Sequence, residues 1–418
     1  MDDILCSCLN AEGMSARCVY EKISQELAID GDPYKDLGSF TAVRMCPQAS
    51  HLVMDNMGIN LANQNEYPQT TKIHKVLVKT IATLLHAPND QQAAGCSTSG
   101  SSEACAIAMV AHKGRWKERA APTDKPNIVM GSNAHLCWRK FAMYFDIEIR
   151  EVAFNEFNQY PLDEMLSLVD QNTICVLTVM GSTFTGFCDP IKAINDGLAE
   201  LNQRHGWQVG IHVDAAIGGF IRPFLDDPSL PEWDFTLPLV QSINLSGHKY
   251  GLVYPGLGWL ILRDSTILPE KMNMTASYLT GDTQSFAITF SRSSSLVIAQ
   301  YFNFLCYGMA GYQAVMAECL RHAKQLSSAL NKLDGVKVIS QQILPVVAFL
   351  LEDDTEGVSE TFTAQLKLKG WQIPCYMMPN NIKKKVMRIV IREDMTDARL
   401  NELIQDICAV HTRLYFQI

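Results

Sequence analysis

The stretch Ser242-Ile243-Asn244-Leu245-Ser246-Gly247-His248-Lys249-Tyr250-Gly251 sets one lysine among small and aromatic residues, just past a short apolar run. A lysine attacks an aldehyde only as the free amine, so it needs a site that desolvates its ammonium or crowds it with another cation. Here His248 can donate a hydrogen bond or carry charge, Tyr250 supplies an apolar wall, and Gly247 and Gly251 let the backbone approach a bound group closely. Taken alone, the same letters also describe a surface lysine in a turn. A second stretch, His212-Val213-Asp214-Ala215-Ala216-Ile217-Gly218-Gly219-Phe220, puts a carboxylate at the end of an apolar run and follows it with small residues. Buried against a protonated ring nitrogen, an ionised Asp214 would hold that proton through a charge-assisted hydrogen bond; an isolated Asp more often serves a turn. The third stretch, Gly95-Cys96-Ser97-Thr98-Ser99-Gly100-Ser101-Ser102-Glu103-Ala104, reads as a hydroxyl- and glycine-rich turn entering a helix over 103–116. Backbone N–H groups at a helix start and serine hydroxyls both point at a phosphate, and Glu103 suits the first helical turn. Phosphate turn, then carboxylate, then lysine is the order of groups that would hold pyridoxal 5′-phosphate, whose ring withdraws electrons when its nitrogen is protonated.

The elements that must position these groups follow from periodicity. Between about 95 and 263, helical patterns (103–116, near 135–144, near 163–168, 191–204) alternate with short apolar runs (127–130, 147–152, 174–179, 208–213, 242–245, 258–262). Such alternation implies an α/β fold with a mostly parallel sheet covered on both faces. Ligands then bind at strand C-termini, where Asp214 and the residues before Lys249 fall. Ahead of this region a helix near 19–28 is stopped by Gly31-Asp32-Pro33, and Ile73, Val76, Leu77, Ile81, Leu84 and Leu85 mark a helix over 72–86 that Pro88 ends. The Pro- and Asp-rich piece 223–234 reads as a loop. A long helix near 296–307 leads to a smaller α/β region with helices at about 312–333 and 397–415 and strands such as 336–340 and 386–391. With 418 residues, an N-terminal segment (1–65), a large domain (66–310) and a small C-terminal domain (311–418) are expected.

Composition narrows the function classes. The net charge of −9 argues against a nucleic-acid partner. No apolar run approaches the ~20 residues of a membrane span and no signal-peptide pattern opens the chain, so no membrane partner and a cytoplasmic location are expected. Thirteen cysteines, an odd number without disulfide-framework or metal-type spacing, read as reduced thiols, and no metal site is expected.

With these three stretches in this order, the chain resembles the fold-type I, group II decarboxylases that use pyridoxal 5′-phosphate, and among them the glutamate branch. The likeness runs from about Leu37 to Arg392. It includes Asn65-Glu66-Tyr67-Pro68-Gln69, Cys137-Trp138-Arg139-Lys140-Phe141-Ala142, Gly258-Trp259-Leu260-Ile261 and Met387-Arg388-Ile389-Val390-Ile391-Arg392-Glu393-Asp394. The resemblance implies a seven-stranded-type sheet and a Schiff base on Lys249, with Asp214 on the ring nitrogen. Ser101 and Ser102 would hold the phosphate with Ser246 and His248, His135 would stack on the ring, and Thr183 would give it a polar contact. Arg392 matches the arginine that pairs with the substrate α-carboxylate; Ser39, Phe40, Asn60 and Asn63 match the pocket for the distal carboxylate of glutamate. Tyr278 matches a loop tyrosine that protonates the substrate carbon after CO2 leaves. In that family the N-terminal segment packs on a partner subunit, which implies a homodimer or higher homo-oligomer. The implied reaction is decarboxylation of an L-amino acid, foremost L-glutamate to GABA. Alternatives are a decarboxylase of aspartate or an aromatic amino acid, differing at Ser39, Asn60 and Asn63, a lyase of the sphingosine-phosphate type, and a non-catalytic pyridoxal phosphate binder. Asn63 stands where many members carry Asp; an amide donates to a carboxylate at any pH, so glutamate binding is expected to fall little from mildly acidic to neutral pH. No tail follows the last helix, and control by a C-terminal extension is not expected.

Overall fold

The computed structural model describes residues 12–88, 94–119, 125–272, 274–276, 283–354, 357–379 and 382–416. Three helices precede the main sheet: α1 (Ala16–Leu27), α2 (Pro47–Asp55) and α3 (Pro68–Leu84). Ser15 caps α1 by accepting from the Cys18 N–H, whereas α2 and α3 start on proline, whose missing N–H would have no helical partner in the first turn. Of the stripe that the sequence spacing predicts, Leu77 and Ile81 are buried in α3 and Leu85 just past it; Val78 joins them, whereas Val76 is exposed.

From there strands and helices alternate: β1 (Ala94–Thr98), α4 (Ser101–Arg119), β2 (Asn127–Gly131), α5 (Leu136–Tyr144), β3 (Glu148–Val152), α6 (Leu162–Ser167), β4 (Thr173–Val179), α7 (Ile191–His205), β5 (Gly210–Asp214), β6 (Val240–Ser246) and β7 (Gly258–Leu262). The seven strands form one sheet in the order β1-β7-β6-β5-β4-β2-β3, and only β7 runs against the rest. β2, β4 and β5 are buried at every position, as strands with helices on both faces must be. Alternate residues serve opposite cores: Ile128 and Met130 pack with Met109 and Trp138, whereas Val129 packs with Ile194 and Leu198. One expectation needs correction. Residues 95–98, read from their Gly, Ser and Thr content as part of a turn, form β1 together with Ala94, because full pairing with β7 (Gly95 opposite Ile261, Ser97 opposite Trp259) outweighs weak strand propensity. The anion turn proper is Ser99-Gly100, and the helix starts at Ser101, earlier than its apolar pattern indicates.

After β7 come the paired strands β8 (Met274–Ala276) and β9 (Thr283–Ser285), then α8 (Ser295–Leu330), broken at Gly308, whose φ of 56° and ψ of −168° are not helical. β10 (Val336–Val338), β11 (Val346–Leu351), α9 (Val358–Leu368), β12 (Cys375–Met377), β13 (Lys385–Val390) and α10 (Asp397–Phe416) complete the chain. Their strands form a separate antiparallel sheet, order β10-β11-β13-β12, packed with α8, α9 and α10 around Leu326, Phe349, Phe362, Ile389 and Leu403. Among the described residues no helix is long and apolar enough to cross a membrane.

Candidate active site

Ser246 ends β6 and the chain turns at once, the Lys249 N–H donating to the Ser246 carbonyl at 3.2 Å. The turn closes on itself so tightly that a Cβ on Gly251 would stand 2.5 Å from the Gly247 carbonyl oxygen, so this glycine serves the turn's own packing. Neither Gly247 nor Gly251 lines the cavity that Lys249 enters. Tyr250 does not line it either: its buried hydroxyl donates to the Ile391 carbonyl at 3.0 Å, tying the lysine turn to the end of β13. Burial pulls the Lys249 ammonium down to about 8; nearby Asp214 opposes that fall and Arg388 adds to it. The sequence calls for desolvation or a second cation, and both are present. The cation, though, is Arg388 rather than His248, whose Nδ1–H is spent on the Leu257 carbonyl at 2.8 Å and whose own basicity falls on burial.

Asp214 ends β5 on the neighbouring strand and is 5% exposed. Its Oδ2 accepts from the Trp138 indole at 2.8 Å; its Oδ1 accepts from Asn244 Nδ2 at 2.9 Å and from the Ala216 N–H at 3.2 Å. These donors are neutral, and among the described residues no Lys, Arg or His nitrogen forms an ion pair with it within 4.0 Å. A buried carboxylate without a cationic partner is costly unless one binds, and Asp214 also lines the lysine cavity, where a protonated ring nitrogen would supply it.

The third group is assembled by β1, α4 and β7. Ser101 and Ser102 form the first turn of α4, Ser101 Oγ lies 2.8 Å from Ser246 Oγ, and both line the cavity with Gly100 and His248. Gly258 lets this turn sit where it does. A Cβ there would stand 2.5 Å from the Gly100 carbonyl carbon and 2.7 Å from the Ser101 nitrogen, so any side chain would push the turn off β7. Glu103 braces it from behind: burial alone would raise its carboxyl, but hydrogen bonds from Ser99 and Thr289 outweigh that and hold it below the usual range.

His135 and Thr183 line the same cavity, as the sequence reading expects, and so do Cys105 and Cys137, to which it gave no role. His135 caps α5, its Nδ1 accepting from the Cys137 N–H at 3.2 Å. A hydrogen bond with Cys137 raises its basicity; the Cys137 thiol is pulled down to about 6, chiefly by a hydrogen bond with Cys105 and also by His135, against burial. The cavity measures about 210 Å3. It gathers an amine made nucleophilic by burial, a carboxylate awaiting a cation, and hydroxyls at a helix N-terminus, and that donor set fits pyridoxal phosphate end to end.

Two expected substrate groups fall elsewhere. Arg392 is 2% exposed, with its guanidinium bound to Asp394 Oδ1 (3.1 Å) and the carbonyls of Asp36 (2.7 Å), Ser39 (3.3 Å) and Pro33 (2.9 Å). It pins the N-terminal segment and has no free edge for a carboxylate. Asn60 and Asn63 do not line the lysine cavity. Asn63 Nδ2 donates to Glu66 Oε2 at 2.6 Å, within its own loop, whereas Asn60 Oδ1 accepts from the Ala62 N–H (3.1 Å) and the Arg292 N–H (3.3 Å) and its Nδ2 donates to Ser291 Oγ (3.4 Å), tying that loop to residues 291–292. The pH-insensitive binding expected from Asn63 loses its direct contact with substrate. Ser39, Phe40 and Arg388 do not line the lysine cavity either, but the Phe40 ring lies near both Lys249 and Arg388. Arg388 Cζ lies 4.7 Å from the Phe40 ring centroid and Lys249 Nζ 5.2 Å from it, and Ser39 and Arg388 share the wall of a second cavity of about 610 Å3. Arg388 donates to the carbonyls of Thr183 and Gly38 and keeps its Nε buried without a protein partner. Tyr278 lies outside the described residues.

Comparison with known proteins agrees with this geometry. The family model described as the pyridoxal-dependent decarboxylase conserved domain matches residues 38–352. Glutamate decarboxylase 5 of Arabidopsis thaliana is 43% identical over 407 residues, 95% of this chain and 82% of that protein. Glutamate decarboxylase beta of Listeria innocua is 38% identical over 409 residues, 95% of this chain and 88% of that protein. The solved structure of Lactobacillus brevis glutamate decarboxylase superposes with a TM-score of 0.93 at 36% identity, covering 99% of this chain and 96% of that one. A match of this extent, over the very segment that builds the lysine, carboxylate and phosphate corners, makes the chain a member of the pyridoxal-dependent decarboxylase family.

Proposed function

We propose that this chain decarboxylates L-glutamate to GABA and CO2 with pyridoxal phosphate. The relatives that carry the glutamate name support the substrate, and Arg388 is the observation that carries the reading. Once bound, the cofactor supplies the electron-withdrawing ring that takes up the electron pair left by the departing carboxylate. The protein's part is to hold and aim. Ser101, Ser102, Ser246 and His248 would hold the phosphate, Thr183 and His135 would confine the ring, and Asp214 would keep the proton on the ring nitrogen. Lys249 would hold the aldehyde end through its amine and would also be placed to act as a base there. Arg388, rather than Arg392, holds the substrate α-carboxylate, its Nε being the donor left for it. Arg388 would thereby fix how the substrate's carboxylate is presented, and so which bond is broken. Ser39 and Phe40 flank the same arginine.

The experiment that tests this reading compares two arginines four residues apart. Arg388→Gln is expected to lower kcat/KM for glutamate by ~10–100-fold, the loss of charge-assisted hydrogen bonds to a carboxylate, mainly by raising KM. Arg392→Gln should instead lower the melting temperature, because it leaves buried carbonyls and Asp394 without their donor. An unchanged KM in Arg388→Gln would remove the α-carboxylate role. Tyr278 is proposed as the acid that protonates the substrate carbon; Tyr278→Phe should still release CO2 but with more transamination product, and an unchanged product ratio would count against it.

The chain is organised, on this reading, as a segment (1–65), a large domain (66–310) and a small domain (311–418), the second boundary falling beside the Gly308 break. It acts as a homodimer in the cytoplasm. Tyr20, Ile23 and Leu27 of α1 support the dimer: they are 74%, 46% and 61% exposed at helical spacing, an apolar stripe that a second chain would cover. Sedimentation at the mass of one chain would contradict it. Free thiols at all eleven described cysteines suit a reducing compartment.

A further inference from the structure

Behind Asp214 runs a line of buried polar groups that the chemistry above does not use. β5 and β6 pair in parallel with His212 opposite Ser242 and Asp214 opposite Asn244. Alternate strand residues share a face, so these four side chains meet on the side that α4 covers, where His112 joins them. Asn244 Nδ2 lies 2.9 Å from Asp214 Oδ1, Asn244 Oδ1 is 2.8 Å from His212 Nε2, His212 Nδ1 is 2.7 Å from Ser242 Oγ, and Ser242 Oγ is 2.7 Å from His112 Nε2. None of the five residues is more than 5% exposed, so no bulk water stands ready to replace a lost bond. Burial keeps both imidazoles neutral, pulling His212 down to about 4 and His112 well below its ordinary value.

A neutral imidazole has one donor and one acceptor nitrogen, and a hydroxyl has one hydrogen, so the line admits two proton orders. With Asp214 ionised, the Asn244 amide must donate to it and its carbonyl must accept from His212 Nε2–H. His212 Nδ1 is then bare and takes the Ser242 hydroxyl hydrogen, and Ser242 Oγ accepts from His112 Nε2–H. Every hydrogen points toward the carboxylate. A proton on Oδ1 shared with Asn244 would reverse all of this: the amide flips, both histidines change tautomer and the serine hydroxyl turns round. Trp138 and Ala216, fixed donors that cannot reverse, also point at Asp214 and favour the first order.

We propose that His212 and Asn244, anchored through Ser242 by His112, are positioning residues that lock Asp214 as an anion and so hold the proton on the cofactor's ring nitrogen. The proposal rests on the pyridoxal phosphate reading. The test loads the full chain and its variants with ring-15N-labelled pyridoxal phosphate and reads the ring nitrogen by 15N NMR beside kinetics. His212→Phe keeps a ring against Trp138 but removes the Nε2–H; its ring-nitrogen signal should move toward the unprotonated form, with kcat down about tenfold or more. His212→Gln, whose amide can present a donor there, should recover part of both. An unmoved ring-nitrogen signal in His212→Phe would overturn the proposal, since a merely structural role alters stability without altering that proton. If His212→Phe does not fold, 15N-histidine spectra of the unmutated chain decide, recorded with and without pyridoxal phosphate and assigned with His112→Asn. Neutral Nε2–H forms at His212 and His112 between pH 5 and 8 are expected, and an Nδ1–H form or an imidazolium at His212 would overturn it. Without cofactor this arm still reports on the line, so its failure is distinct from a wild-type chain that simply binds no pyridoxal phosphate.

Discussion

Lys249→Ala is expected to yield a folded protein with no borohydride-fixable cofactor and no turnover. The amine is lowered to about 8 by burial, which leaves roughly a tenth of it as free base at pH 7, far more than an ordinary lysine offers. Among the described residues no other lysine lines the cavity, so no second amine there can condense with the aldehyde. The phosphate corner survives the change, because Ser101, Ser102 and Ser246 are set by α4, β6 and the close seat on Gly258. Pyridoxal phosphate should therefore still bind, but reversibly. Absorbance after gel filtration and peptide mapping after reduction check this; a pyridoxyl group fixed to another lysine together with retained turnover would overturn the assignment.

Asp214→Asn should separate binding from chemistry. Phosphate and amine contacts are untouched, so the cofactor still loads. A neutral amide cannot hold a charged ring nitrogen, and kcat is expected to fall on the order of 10²-fold or more. The structure adds a second effect. The carboxylate accepts from Trp138, Asn244 and Ala216, and an amide turns one of its two acceptor oxygens into a donor. One buried donor then faces another, at a cost of about 1–3 kcal/mol that thermal melting would register. Near-normal turnover in a stable, fully loaded Asp214→Asn protein would reject the role of this carboxylate.

What the sequence could disclose follows from how local each signal is. The runs that became β2, β4 and β5 are legible because strands buried on both faces must be continuously apolar, and Asp214 and Lys249 follow from lying just past such runs. β1 was hidden because its Gly, Cys, Ser and Thr resemble the turn it enters; its strand character comes from β7, far away in the chain. The choice between Arg388 and Arg392 could not be made from alternation, since residues four apart on a strand share a face. β13 ends at Val390, however, so Arg392 falls in the following turn, where Asp394 and three carbonyls take it. Asn60 and Asn63 sit in a short polar loop whose place relative to the lysine is fixed only by tertiary packing. The line behind Asp214 was out of reach for a related reason: His212 and Ser242 each look like a core polar residue until the β5–β6 register sets them side by side.

The most direct measurement of the central claim is product stoichiometry from glutamate carrying 13C in its α-carboxyl group. The purified protein, saturated with pyridoxal phosphate, should release labelled CO2 and GABA one for one, and should do so faster than it releases CO2 from aspartate or any aromatic amino acid. A fully loaded protein that leaves glutamate intact, or that prefers another amino acid, would contradict it.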